Sequence, residues 1–420
     1  MSGSANWDWD TKEKLIADIN DWKKKFVSVQ EIVPSDDGEK IACKVKNEEK
    51  KYTTCVNGEV WEETFDRVYS LKFTPDNKLL SIVYANYEWA VALDHEMWEN
   101  KFDYIWNPRM TTDGKTIAVN VRISETQTSG VCVNGKTWEN SFPEARELAL
   151  SPDGQKTASH VQIKPKPDLD IYGFLKKIWT LAVDSIPWDV TFLTLWGAVF
   201  SSDSNHVAAV VMTDMSQYTI AKDGTPWEKA FGAAWEPVFK PGTADVFAPV
   251  QTPAGWTLAM NGNPVWGNFS QVWRQVFSRD GQKLAAVVAV DVGKWTVAVD
   301  GTPWNRVFSQ LVLTPVFSAD GRRVAAAVKD NNRWTVAVDG SPWVDTFENV
   351  WDPVISPSGD KVVARAERNG QYFIVVDGKI GKKGYEWLWD PVFSPDGGKL
   401  LVRCIDKGNY YRRVIPVNEI

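Results

Sequence analysis

Residues Leu313–Trp343 read LTPVFSADGRRVAAAVKDNNRWTVAVDGSPW, and Gln271–Trp304 repeats the phrase as QVWRQVFSRDGQKLAAVVAVDVGKWTVAVDGTPW. A period near forty residues is the mark of a repeat architecture and takes precedence over local propensity. Each copy reads as four short strands. The first, of the type Pro315-Val316-Phe317-Ser318, runs into an Asp-Gly turn, and the second is the small, apolar Val324 to Val328. After a polar loop, Trp334 to Val338 has the aromatic and β-branched residues of a third strand. Asp339-Gly340 then signals a type I′ hairpin, whose two central residues both need positive φ. It leads into a fourth strand carrying Trp343 and Phe347. Four antiparallel strands per period describe one blade of a β-propeller.

The apolar residues that end the first strands count the copies: Val33, Phe73, Met110, Leu150, Phe200, Phe239, Phe277, Phe317, Ile355 and Phe393, ten in all. Their spacings are 37 to 40 residues, apart from one of 50 between Leu150 and Phe200. The expected fold is therefore all-β, a closed propeller of ten four-stranded blades, more than the usual range of about four to eight. A smaller ring with the divergent first copies outside it is the alternative, but an excluded copy would leave a bare sheet. The tenth copy runs out after three strands. Most fourth strands carry Trp, three residues, then Phe, and the same signature stands alone at Trp22 and Phe26. Residues 22–26 are thus expected to complete the last blade with residues 390–417, so that 22–420 form one propeller and no sheet edge is left open. The preceding residues 1–21 are read as an arm and a short amphipathic helix, with Leu15, Ile16, Ile19 and Trp22 as its apolar stripe.

Tryptophan is the compositional anomaly. Twenty of the 23 fall in three columns: the fourth-strand position, the position four residues before the first-strand anchor, and the opening of the third strand. Stacking of sugars, bases or quinones is one use for such rings. Repetition in every blade favours the other, packing between neighbouring blades, where each ring buries on the order of 150–250 Å². Trp7, Trp9 and Trp387 fall outside the columns, and Gly381 stands where the ninth copy should have its fourth-strand Trp. The surrounding GKIGKKG of Gly378–Gly384 is either an adapted edge or simple divergence.

A net charge of −7 gives no electrostatic footprint for nucleic acid. No basic and apolar leader opens the chain, and no run approaches the roughly 20 apolar residues of a span, so a cytoplasmic protein is expected. Cys43, Cys55, Cys132 and Cys404 are isolated and read as small buried hydrophobes, and His95, His160 and His206 as surface or loop residues. No haem or iron–sulfur ligand set is encoded, and no metal or cofactor is expected. GxSxG, Walker and HExxH motifs are all absent, which favours a protein that is not an enzyme.

The stretches PVFSPDG at Pro391–Gly397, LALSPDG at Leu148–Gly154 and PVFSADG at Pro315–Gly321 resemble the WD40-like repeat of TolB-type propellers. The repeated WTVAVDG-x-PW form, in a tryptophan-rich chain without cofactor motifs, resembles more narrowly the TmcD family. These are tryptophan-rich subunits of the Tmc transmembrane electron-transfer complexes of sulfate-reducing bacteria. That resemblance implies an accessory subunit at the inner face of the membrane. Its partners would be an iron–sulfur protein of the heterodisulfide-reductase type, a membrane cytochrome b and a multihaem cytochrome c. It carries over no catalytic residue. The expected role is a non-catalytic scaffold; the alternative is a ligand-binding or hydrolytic propeller with its site over the channel. Candidate docking residues lie in the fourth-copy insertion, where Ile171, Tyr172, Phe174 and Leu175 are flanked by Lys164, Lys166, Lys176 and Lys177. Trp7, Trp9 and Trp387 complete the set.

Overall fold

The computed structural model describes residues 6–165 and 176–420. It is a ten-bladed β-propeller in which every blade is an antiparallel sheet, nine of them with strands in chain order and the last with an outer strand from the N-terminal region. By contact the chain forms two compact units, Met1–Ser81 with Arg274–Ile420, and Ile82–Trp273.

The blade around Leu313–Trp343 shows how the repeat works. Ser318 Oγ donates to Asp320 Oδ1 at 2.6 Å and accepts from the backbone N–H of Arg323 at 2.9 Å, which pins the turn between the first two strands. The serine hydroxyl holds the Asp320 carboxyl below its usual range. Val324–Asp330 and Arg333–Val338 then pair along their whole length. Asp339 and Gly340 take φ of 49° and 82°, the positive values that a type I′ turn requires. The Asp339 carboxylate also accepts from Val324 N–H at 2.8 Å, tying the hairpin to the start of the second strand.

The fourth strand is shorter than its sequence suggests. Only Ser341–Pro342 pair as a strand. The chain then bends, Trp343 N–H donates to Val336 O at 2.8 Å, and Phe347 forms a reciprocal backbone bridge with Trp334. The Trp-x3-Phe signature is thus the wrap of the outer edge around its own third strand. The same bridge recurs at Tyr52–Phe65, Trp179–Phe192 and Trp256–Phe269.

The fourth-strand indoles pack between blades, as repetition implied. Trp98, Trp188, Trp227, Trp304 and Trp343 each lie on the hairpin backbone of the following blade. A Cβ added at Gly340 would stand 3.2 Å from Trp304, at Gly378 3.1 Å from Trp343, and at Gly262 3.3 Å from Trp227.

Closure differs from the expectation in its detail. The strand that completes the last blade is Glu13–Asp18, paired with Asn409–Pro416, and not Trp22–Phe26. The helix is Ile19–Lys25 rather than a segment within residues 1–21, and Asp18 caps it by accepting from the N–H groups of Asn20 and Asp21. The unpaired edge of Asn409–Pro416 needs a ladder of N–H and C=O groups, and the outer edge accepts Glu13–Asp18 with Leu15 left exposed. Trp22 still does what its column does, because it reaches the Gly58 turn of the first blade, now from a helix.

Arg412 locks this joint. It is fully buried, and its guanidinium donates to Asp37 O at 2.8 Å, to Asp8 O, and pairs with Glu39 at 3.0 Å. Without the guanidinium the Asp37 and Asp8 carbonyls lose their buried donor, while Glu39 keeps Lys14 at 2.8 Å. Arg412→Met should therefore lower stability by about 1–3 kcal/mol. Removing the exposed Lys25–Asp21 pair should leave the unfolding midpoint unchanged. Denaturant melts of the two variants check this.

Candidate functional site

The first strands of neighbouring blades approach one another within each unit, so this edge faces inward. Midway along it the strand is interrupted. In several blades the interruption is a bulge, with positive φ at Glu31, Asn107, Glu147 and Arg274. In others it is a proline, Pro237, Pro353 or Pro391, which has no N–H to pair. Interruptions of this kind re-aim a side chain. The residue re-aimed is the one directly after the first-strand Trp: Glu236 after Trp235, Arg274 after Trp273, Asp352 after Trp351, Asp390 after Trp389. In the sequence this position is overshadowed by the neighbouring rings, although the register of the Trp column marks it.

In the unit containing the chain ends, several charged groups at the inward edge are paired or hydrogen-bonded. Arg365 pairs with Asp390 at 3.0 Å, donates to Leu388 O, and lies 4.0 Å from the centre of the Trp351 ring. Arg403 donates to Asp390 O at 3.0 Å and to Ser35 O at 3.1 Å. Lys44 pairs with Glu31 at 2.8 Å. Burial and the neighbouring Asp390 raise the Asp352 carboxyl above its ordinary range, against an opposing pull from Arg274. In the unit Ile82–Trp273, Glu147 accepts from Gly197 N–H at 2.9 Å and lies 3.7 Å from Nδ1 of His160. His160 is buried on a second strand, not at the surface as expected, and its Nε2 has no hydrogen-bond partner among the described residues. Burial, with help from Arg146, pushes its pKa down to about 3. Glu147 is too far for a hydrogen bond and does not reverse the effect, so the ring is neutral at neutral pH.

Beside the Arg365–Asp390 pair runs a continuous series of rings. Trp351 to Tyr372 is 5.7 Å between centroids, Tyr372 to Trp387 4.9 Å, Trp387 to Trp389 6.3 Å and Trp389 to Tyr410 5.8 Å. Trp387 is 40% exposed, while Tyr410 is buried. Charge and aromatic surface at one edge suit recognition of another protein.

The other candidate residues lie apart. Trp7 and Trp9 stack at 6.1 Å, and the arm that carries them folds back onto the last blade, where Lys399 donates to Trp9 O at 2.8 Å. Trp387 sits at the opposite end of that blade, paired with Ile405. Ile171, Tyr172, Phe174, Leu175 and Lys166 lie outside the described residues. Lys164, Lys176 and Lys177, at the borders of the insertion, are exposed. The four cysteines are buried, with Cys43 opposite Cys55 on adjacent strands. Among the described residues no group of three or more His, Cys, Asp or Glu stands where it could hold a metal ion, and no helix is long and apolar enough to cross a membrane.

No protein-family model matches the chain, and neither does any curated protein sequence. Solved structures similar to it include a eukaryotic initiation factor, at 12% identity and TM-score 0.46 over 82% of this chain and 92% of that one. The Dos1 propeller matches at 11% and 0.38 over 96% and 94%. TolB from Acinetobacter baumannii matches at 14% and 0.28 over 77% and 81%. At these identities the likeness carries neither activity nor partner across to this chain.

A neutral buried histidine makes stability depend on pH with a definite sign. Its folded pKa lies below the unfolded value near 6.5, so the unfolded chain binds the extra proton first. The stabilisation is fully present above pH about 6.5 and is lost as pH falls toward about 3. His160→Gln should flatten the acid side of the stability profile, by up to about 1.4 kcal/mol per pH unit below pH about 6. Paired urea melts of the two proteins across that window check it.

Proposed function

We propose that this chain is a non-catalytic scaffold, an accessory subunit that holds redox partners of a membrane-associated electron-transfer complex on its cytoplasmic side. The observation that carries the scaffold reading is the edge around Trp387. An exposed indole there continues a series of packed rings and adjoins charged groups already paired with one another. Rigid aromatic anchors backed by a packed scaffold suit docking, because little side-chain freedom is lost on binding. Groups engaged in mutual ion pairs are poorly placed to act as acid, base or nucleophile. The electron-transfer context rests on the repeated WTVAVDG-x-PW form and its likeness to the TmcD family. In that setting the partners are an iron–sulfur protein, a cytochrome b and a multihaem cytochrome c.

A second reading, a ligand-binding or hydrolytic propeller, is favoured by Asp352, whose carboxyl is raised beside Asp390. Under that reading, Asp352→Asn abolishes turnover or binding of a screened substrate. Under the scaffold reading no such turnover exists to lose.

Two variants test the scaffold directly. Trp387→Ala should reduce co-purification of partner subunits at least tenfold, the scale of an interface hot spot of about 2 kcal/mol. Tyr172→Ser with Phe174→Ser should do the same if the insertion docks. Unchanged co-purification with both, in variants that melt like the parent, contradicts the docking assignment.

A further inference from the structure

Two thiols meet in the core at the ring closure. Cys43 stands directly opposite Cys55 on adjacent antiparallel strands of the first blade. Residues so placed have Cα atoms about 4.5–5.5 Å apart, inside the span of about 4.4–6.8 Å that a disulfide bridges. The two sulfurs are within hydrogen-bonding reach of each other. The other cysteines lie elsewhere, Cys132 in the third blade and Cys404 in the last, where its thiol donates to Tyr411 O at 3.9 Å.

What covers the pair is the closing helix. Ile19 and Trp22 of Ile19–Lys25 pack with Cys43, Cys55 and Tyr410 in one buried cluster, and both thiols are sealed from solvent. Seven residues are too few for a helix to sustain itself, since isolated helices below about 12 residues are marginal in water. This one is held by that packing, by its Asp18 cap and by two bonds to the last blade. Ile19 N–H donates to Gly408 O at 2.9 Å, and Asn20 Nδ2 donates to Lys407 O at 3.0 Å. Segments held by so few contacts open well before the whole fold does. Beneath the helix the two thiols are not equivalent. The Cys43 hydrogen bond, Gly58 N–H and the Lys25 ammonium hold the Cys55 thiol below its ordinary range against the effect of burial. The same hydrogen bond, with burial, pushes Cys43 up. Cys55 is therefore the nucleophile of the pair, and Cys43 keeps its proton.

We propose that Cys43 and Cys55 are a redox couple, a dithiol that becomes a disulfide when the closing helix lifts and a small-molecule disulfide reaches the joint. The Cys55 thiolate attacks one sulfur of the oxidant, whose S–S bond breaks, and one small thiolate leaves. The Cys43 sulfur then attacks Cys55 in the mixed disulfide, gives its proton to the second departing thiolate, and the Cys43–Cys55 bond forms. The protein loses two electrons and two protons in all, and the oxidant gains them as two thiols. Ring closure is thereby sensitive to the thiol poise of its surroundings, independently of any docking partner.

The test is exposure of the folded full chain to glutathione disulfide, then acid denaturation, alkylation of the remaining thiols and peptide mass spectrometry. A linked Cys43–Cys55 pair is expected, with Cys132 and Cys404 still alkylated. Cys43→Ala should stop at a glutathione adduct on Cys55, and Cys55→Ala should leave Cys43 unmodified over the same time. Asp18→Ala, which removes the helix cap, should speed pairing about fivefold without changing Cys132 or Cys404. Thermal melts establish that each variant is folded, and the parent chain decides by itself whether the pair forms. Four alkylated cysteines after prolonged exposure of the parent overturn the proposal. So does linkage of Cys43 or Cys55 to Cys132, Cys404 or a second chain, and so does a pairing rate indifferent to Asp18→Ala.

Discussion

An indole laid on the backbone of the next hairpin is the contact on which this architecture depends. The hairpin must be tight and bare to receive it, which is why Asp339 and Gly340 adopt positive φ and why the following position carries little bulk. The turn must also be held in place, and Asp339 does this by accepting from the first N–H of the second strand. Turn chemistry, strand registration and packing between blades are therefore one constraint seen at three scales. The repeat period follows from it, because most copies supply one indole and one seat.

A closed array needs its last seat and its last strand filled as well, and here the chain departs from its own rule. Glu13–Asp18 supplies the outer strand, and Trp22 supplies the indole from the helix that follows. Arg412 and the folded-back arm seal the joint. At the preceding junction the seat is given to Ile420 instead. The departures from regularity thus gather at the junctions where the circuit closes.

The fold was legible because the period, the Asp-Gly turns and the Trp columns all pointed to the same blade. Blade number and the packing role of the indoles followed from counting alone. The closing strand was misplaced because Trp22 and Phe26 copy the outer-edge signature from a helix and the residue that ends it. Leu15, Ile16 and Ile19 fit a helical stripe as well as a strand, and nothing local separates the two over so short a run. The inward edge was less legible. Asp352, Asp390 and Arg365 are far apart in sequence, and a bulge or a proline turns them inward only once the ladder is formed. His160 reads as a surface or loop residue, and only its burial on a second strand makes it a neutral one.

The central functional claim is that this propeller works as part of an assembly. Gentle purification of the chain from its native membrane and cytosolic fractions, with mass by light scattering and a visible absorption spectrum, tests it most directly. The account predicts a mass well above the 47.3 kDa of the chain, accompanied by haem or iron–sulfur absorbance. A colourless monomer in both fractions would contradict it.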